Sequence, residues 1–269
     1  MADTGSDRIA PDGWPLPPGA VHLYVVDETE VAATPELASA AVWLSPSEQA
    51  RGSRFVHARR RHQFLVARLL VRTILSRYAP QIGPGDWQFE TMANGRPVIS
   101  GLFGDVLHFN LSHTDGRVVM AVARARWLGV DVERRNGDTP AQDLADRFFA
   151  PAEAGWLRAM TPQARQQSFF NLWTLKESYV KARGLGLALP LTEFVIGFSG
   201  SAGLSLQQTG EAGPGADNWS LWMIETGGEH ALALALAAEG VWQPHLFRGT
   251  PLSGFEEAPC RILRSTALR

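Results

Sequence analysis

The sequence predicts an α+β protein in which strands and helices do not alternate strictly. Three observations carry that prediction. Short apolar runs mark strands, among them Val118 to Val122 beside turn residues and Ala231 to Leu236, where alanine and leucine alternate. Two longer stretches place apolar residues at helical spacing between recognisable caps. Between Trp87 and Glu133 the strands follow one another without a helix after each. At 269 residues, 45% of them hydrophobic, the chain has material for one large domain or for two halves.

In chain order, Met1 to Ala20 is polar and proline-rich and reads as a flexible arm. Val21 to Val26 is a strand. Ser45, Pro46 and Glu48 then open a helix, with serine as cap, proline at the first helical position and glutamate closing a capping box. Phe64, Leu65, Leu69, Leu70, Ile74 and Leu75 give a second, amphipathic helix that the glycine- and proline-rich segment Pro80 to Gly85 ends. Val106 to Leu111 and Val118 to Val122 form a hairpin about Thr114, Asp115 and Gly116, and Leu128 to Glu133 is a third strand. Pro140 to Leu157 is helical in pieces, interrupted at Pro151. The clearest helix starts at Thr161 and Pro162 and stops at Gly184. Leu221 to Ile224 and Ala231 to Leu236 are strands, and Leu232, Leu234 and Leu236 share one face.

Composition narrows the function classes. A net charge of −2 gives no global positive field toward nucleic acid or an anionic membrane. Cys260 is the single cysteine, so an internal disulfide is impossible and a Cys/His zinc cluster lacks ligands. The N-terminus lacks the basic start and apolar stretch of a secretory signal, and no run approaches the ~18 apolar residues of a membrane helix. The expectation is a cytoplasmic protein.

Four motifs can carry chemistry. In Gly129-Val130-Asp131-Val132-Glu133 the strand period puts both valines on one face and both carboxylates on the other. Paired hard oxygen ligands suit magnesium, which uses one or two carboxylates with waters and phosphates; the bland alternative is the wet face of a half-exposed strand. In Trp173-Thr-Leu-Lys-Glu-Ser-Tyr-Val-Lys181, Glu177 and Lys181 lie four apart on one helix face. They are either a surface ion pair or an acid for metal and base work beside an amine for a phosphate. In His108-Phe-Asn-Leu-Ser-His113 a strand delivers Ser112 and His113 to a turn, where both can touch a ligand or serve only as loop residues. Basic residues form the last group: Arg51, Arg54, Arg59, Arg60 and Arg61, and separately Arg96 in Asn94-Gly95-Arg96-Pro97. Arginine forks fit phosphate, but most charge runs are solvated helix faces.

Together and in this order, Asn94-Gly-Arg-Pro97, Phe109-Asn-Leu-Ser-His113, Gly129-Val-Asp-Val-Glu133, Trp173 to Lys181 and Gly184-Leu-Gly-Leu-Ala-Leu-Pro190 resemble the Sfp-type 4′-phosphopantetheinyl transferases. Ser45-Pro46, Arg54-Phe55, Leu70-Val-Arg72 and Arg147-Phe-Phe149 are smaller echoes, and the resemblance spans roughly Val21 to Phe198. It implies two similar α/β half-domains related by pseudo-twofold symmetry, with coenzyme A between them. The halves would be residues 21–127 and 128–243, the second carrying the metal site, followed by a tail, 244–269, with no assigned role. The implied reaction moves the phosphopantetheine arm of coenzyme A onto a serine of an apo acyl or peptidyl carrier protein, from fatty-acid, polyketide or non-ribosomal peptide synthesis. Adenosine 3′,5′-bisphosphate leaves.

Carried over residue by residue, the resemblance puts Asp131, Glu133 and Glu177 around Mg²⁺ and Lys181 on the pyrophosphate. His113 and Arg51 would meet the 3′-phosphate, and Ser112 and Arg96 would line the nucleotide site. Glu177 is the general base and Lys181 eases departure of the leaving group. Two departures stand out: Arg96 replaces a common lysine, and Glu48 sits where relatives can carry a base. A monomer is expected, since one chain holds both halves. A magnesium phosphohydrolase would need further carboxylates or histidines. A non-catalytic carrier-binding module would not need Asp131, Glu133, Glu177 and Lys181 intact, and an RNA-binding protein fits the acidic net charge poorly.

Overall fold

Helix caps written in the sequence set the element ends. In the computed structural model, which describes residues 13–92, 95–208 and 218–266, Ser45 caps a helix at Pro46–Ser53 through a complete capping box with Glu48. Thr161 caps the helix Pro162–Arg183, which Gly184 terminates in the left-handed conformation at φ +65°. Residues 1–12 of the expected arm and Asn94 of the glycine turn lie outside the described residues. The chain divides into two compact units, one running to Arg124 and including Gln243–Pro259, the other formed by Ala125–Trp242 and the residues from Cys260.

The first unit is built on β1 (Ala20–Asp27), β4 (His108–Thr114) and β5 (Arg117–Ala123), with a small hairpin of β2 (Phe89–Thr91) and β3 (Pro97–Ile99). Its helices are α1 (Pro35–Ser39), α2 (Pro46–Ser53) and α3 (Ala58–Tyr78). The tail has a structural role that the sequence did not announce. Strand β11 (Gln243–Thr250) runs parallel to β1 in register Leu23↔Leu246, and β12 (Gly254–Ala258) pairs with it, giving the order β12-β11-β1-β5-β4. Tyr24, Val26, Met120 and Val122 from this sheet pack with Leu69, Leu70, Ile74 and Leu75 of α3. Leu16, ahead of β1, is also buried in that core.

In the second unit, β6 (Trp127–Arg134) lies at the edge of a sheet with β7 (Phe194–Ser199), β8 (Gly203–Gln208), β9 (Trp219–Ile224), β10 (His230–Ala237) and β13 (Ile262–Ser265), ordered β6-β10-β9-β13-β8-β7. Helices α4 (Ala141–Phe148), α5 (Pro151–Arg158) and α6 (Pro162–Arg183) complete it. Pro151 starts α5 instead of breaking one longer helix, because a first-turn proline has no N–H to lose.

The alternating Ala-Leu strand β10 is buried on both faces, not on the leucine face alone. Its Ala231, Ala233, Ala235 and Ala237 join the core of α6 with Phe169, Leu172, Tyr179 and Val180. Small side chains on that face let the helix lie close to the sheet. Gly129 on β6 takes this furthest: a Cβ there would collide with the Ser178 carbonyl oxygen and stand 3.0 Å from Cα of Ala182. The glycine of the acidic motif is therefore the seat of the helix that carries Glu177 and Lys181.

Candidate functional site

Because α6 settles on Gly129 through Ser178 and Ala182, the same stretch of helix lies over Asp131, two residues along the same strand face. Lys181 Nζ donates to Asp131 Oδ1 at 2.6 Å. Asp131 is 3% exposed, so its face of β6 is covered by the helix and is not the wet strand face that the bland reading supposed. Lys181 keeps 29% of its side chain accessible, so a buried carboxylate is joined to an amine that still meets solvent.

Glu177, one helical turn before Lys181, is half-buried in the same place. Burial pushes its carboxyl above the ordinary glutamate value, the negative charge of Asp131 pushes the same way, and Lys181 partly opposes both. A carboxylate whose charge a neighbouring carboxylate disfavours is what a divalent cation relieves. Glu133 stands half-buried two residues beyond Asp131 on the same face.

Among the described residues, no three carboxylates, imidazoles or thiols converge into a ready-made metal cage. The donors at hand are the carboxylates of Asp131 and Glu177, with Glu133 on the same strand face.

The other candidate residues all belong to the first unit. Ser112 and His113 lie inside β4, which extends to Thr114, and not at its end. Successive strand side chains take opposite faces, and Ser112 is buried while His113 is exposed. Arg96 Nη2 donates to the carbonyl of Phe109 on that strand at 3.2 Å, and burial lowers its pKa to about 10. Arg51, exposed at the end of α2, sets its guanidinium 5.9 Å from the Phe64 ring centre.

Glu48 is engaged within the first unit. Its Oε2 accepts from Ser45 N at 2.9 Å and from Arg72 Nη2 at 2.6 Å and Nε at 3.2 Å. Arg72, 1% exposed, also donates to the carbonyls of Pro84 and Trp87. The acid thus secures α2 to α3.

Sequence reasoning passed over one more pair in the second unit. Lys176, fully buried, donates to Glu153 Oε1 and Oε2 at 2.8 and 2.7 Å and to the Phe194 carbonyl at 2.7 Å. Burial lowers the Lys176 pKa to about 8 against the pull of Glu153. The capping-box spacing from Ala150 to Glu153 was the one local signal: Glu153 Oε2 accepts from Ala150 N.

A strand acid roofed by a helix that supplies a second acid and a lysine brings two carboxylates and one amine together at one place in the second unit. Comparison with known proteins gives the family. Residues 128–235 match the 4′-phosphopantetheinyl transferase superfamily, and residues 32–125 match the N-terminal region of 4′-phosphopantetheinyl transferases. The chain is 34% identical over 227 residues to the 4′-phosphopantetheinyl transferase HetI of Nostoc sp. (strain PCC 7120), covering 83% of this chain and 90% of that one. It is also 34% identical over 154 residues to the 4′-phosphopantetheinyl transferase Sfp of Bacillus subtilis (strain 168), covering 57% and 66%. The holo-[acyl-carrier-protein] synthase structure of Thermotoga maritima aligns at 17% identity over 51% of this chain and 85% of that one, with a TM-score of 0.34. The chain belongs to the Sfp-type 4′-phosphopantetheinyl transferase family. It is therefore a transferase of phosphopantetheine to carrier proteins.

Proposed function

We propose that this enzyme takes the phosphopantetheine arm from coenzyme A, with Mg²⁺, and attaches it to a serine of an apo acyl or peptidyl carrier protein, releasing adenosine 3′,5′-bisphosphate. The observation that carries the reading is the Asp131–Lys181 contact beside Glu177, whose carboxyl is pushed upward by burial and then by the charge of Asp131. The site holds two negative charges that need a cation, and one cation of its own that can turn to a phosphate.

In this reading Asp131, Glu133 and Glu177 hold the metal. Bound there, Mg²⁺ would supply charge withdrawal from the pyrophosphate of coenzyme A. Lys181 exchanges its contact with Asp131 for one with the pyrophosphate, and offsets charge as adenosine 3′,5′-bisphosphate departs. Glu177 removes the proton of the carrier serine, directly or through one water. Arg51 and His113 hold the 3′-phosphate, and Ser112 and Arg96 line the nucleotide. Phosphoryl transfer asks little else of a protein than alignment and charge neutralisation. The single cysteine and the placement of every named residue in one chain support a cytoplasmic monomer.

Intact mass of an apo carrier protein after incubation with enzyme, coenzyme A and Mg²⁺ tests the proposal. The carrier should gain one phosphopantetheine with wild type and metal, and none with Glu177→Gln. Full modification by Glu177→Gln would remove that residue from the chemistry, and no modification of acyl or peptidyl carriers by the wild type would overturn the donor and acceptor proposed.

A further inference from the structure

A buried ion pair in the second unit has no chemical task in the proposed reaction. Lys176 is fully buried and Glu153 is 3% exposed. Replacing such a pair by apolar side chains is often neutral for stability, so its presence is weak evidence for a stabilising role. Its contacts point elsewhere. Glu153 Oε1 also accepts from Ile196 N at 2.8 Å. Together with the Phe194 carbonyl bond, the pair therefore fastens α6 to α5 and to β7 at one height along the helix.

That height is the residue before Glu177. Successive helix residues are about 100° apart around the axis. Lys176, Glu177 and Ser178 thus point in three directions, with Glu177 midway between its neighbours. On the Ser178 side the helix rests on Gly129 of β6. On the Lys176 side it is tied to Glu153 and Phe194. Two grips on nearly opposite faces leave the helix no freedom to roll. With a side-chain radius of roughly 5–6 Å, a roll of about 10° would carry the Glu177 carboxylate sideways by about 1 Å. Lys181 lies on the same face and would move with it.

We propose that the Glu153–Lys176 pair is a positioning device that fixes the rotation of α6, and thereby the placement of Glu177 and Lys181 against Asp131. This inference rests on the metal site proposed above. The double variant Glu153→Gln/Lys176→Met removes both charges at once, leaving no buried ion without a partner. Three readouts are taken: melting temperature, the Kd for Mn²⁺ alone by electron paramagnetic resonance, and steady-state kinetics.

The expected result is a folded protein with Mn²⁺ affinity weakened at least ~10-fold, the effect typical of losing a ligand's supporting partner. The kcat should fall on the order of 10²-fold, the loss typical of a 1 Å misplacement, with KM for the carrier unchanged. Should the double variant fold poorly, Glu153→Asp, which keeps both charges and shortens the tie to Lys176, is expected to give both losses in smaller measure. A folded variant with wild-type Mn²⁺ affinity and wild-type kcat would show the pair to be structural only and overturn the inference. If the wild type binds Mn²⁺ but transfers nothing, the reaction proposed above fails while the Mn²⁺ comparison still decides the positioning. If it does neither, both fall.

Discussion

Gly129 on β6 and Ser178 on α6 approach so closely that no side chain fits between them, since a Cβ on the glycine would strike the serine's carbonyl oxygen. The obstacle is backbone on both sides, so it cannot be relieved by a rotamer change. Gly129→Ala must lift α6 from the sheet, and overpacking of this kind costs roughly 1–3 kcal/mol. The same lift moves Glu177 and Lys181 away from Asp131. Urea unfolding should show that loss of stability, and carrier modification should fall further than the stability loss accounts for. A Gly129→Ala enzyme as active and as stable as wild type would mean that this contact does not seat the helix.

The titration of Glu177 depends on its neighbour Asp131. In the metal-free protein the Glu177 carboxyl is held above the ordinary value by burial first and by the Asp131 charge second. Asp131→Asn removes the second cause and leaves the first. Carbon NMR of the Glu177 side chain should therefore show a pKa that falls toward the usual range in the variant yet stays above it. The sign for stability follows: a carboxyl with a raised folded pKa favours the native state below its unfolded pKa, and that contribution is lost as pH rises through the folded value. An unchanged Glu177 titration in Asp131→Asn would place the two groups too far apart to share a cation.

Glu48 and Arg51 sit three apart on α2 and should behave oppositely. Glu48→Gln strips the counter-charge from Arg72, which is 1% exposed, and breaking a buried pair costs about 3–5 kcal/mol. Arg51 is exposed, and Arg51→Ala should change stability by no more than about 0.5 kcal/mol. Under the proposed function, its effect appears instead as a higher KM for coenzyme A. Chemical denaturation of both variants, with kinetics on Arg51→Ala, separates the structural residue from the binding one.

Much of the second unit's site was legible because its signals are local. The period of a strand puts Asp131 and Glu133 on one face, the period of a helix puts Glu177 beside Lys181, and Thr161, Pro162 and Gly184 mark the ends of α6. What stayed hidden is what depends on distant partners. Nothing in the residues around Asp131 says that a helix some 50 positions later will cover it and turn a solvated face into a buried one. Lys176 stood in the motif without a role because Glu153 and Phe194 reach it only through the fold. The parallel pairing of β1 with β11 joins opposite ends of the chain, and neither strand's own pattern names the other.

His22 brings the last prediction, on the acid limit of the first unit. Its Nδ1 lies 2.6 Å from the Tyr78 hydroxyl, and that hydroxyl also hydrogen-bonds the hydroxyl of Tyr24. His245 faces it from β11, its ring centre 5.7 Å away, and Glu257 on β12 lies 3.2 Å from His245 Nδ1. Burial, then the charge of His245, lowers the His22 pKa from 6.5 to about 4, while Glu257 pulls slightly the other way. The unfolded chain therefore binds a proton that the folded chain refuses. Stability is full above the unfolded value of about 6.5 and drains as pH falls toward the folded value, by on the order of 3 kcal/mol in all. His22→Gln keeps a polar side chain without that titration. Urea midpoints between pH 7 and pH 4 should fall less steeply for this variant than for wild type, and parallel curves would remove His22 as the source of acid sensitivity.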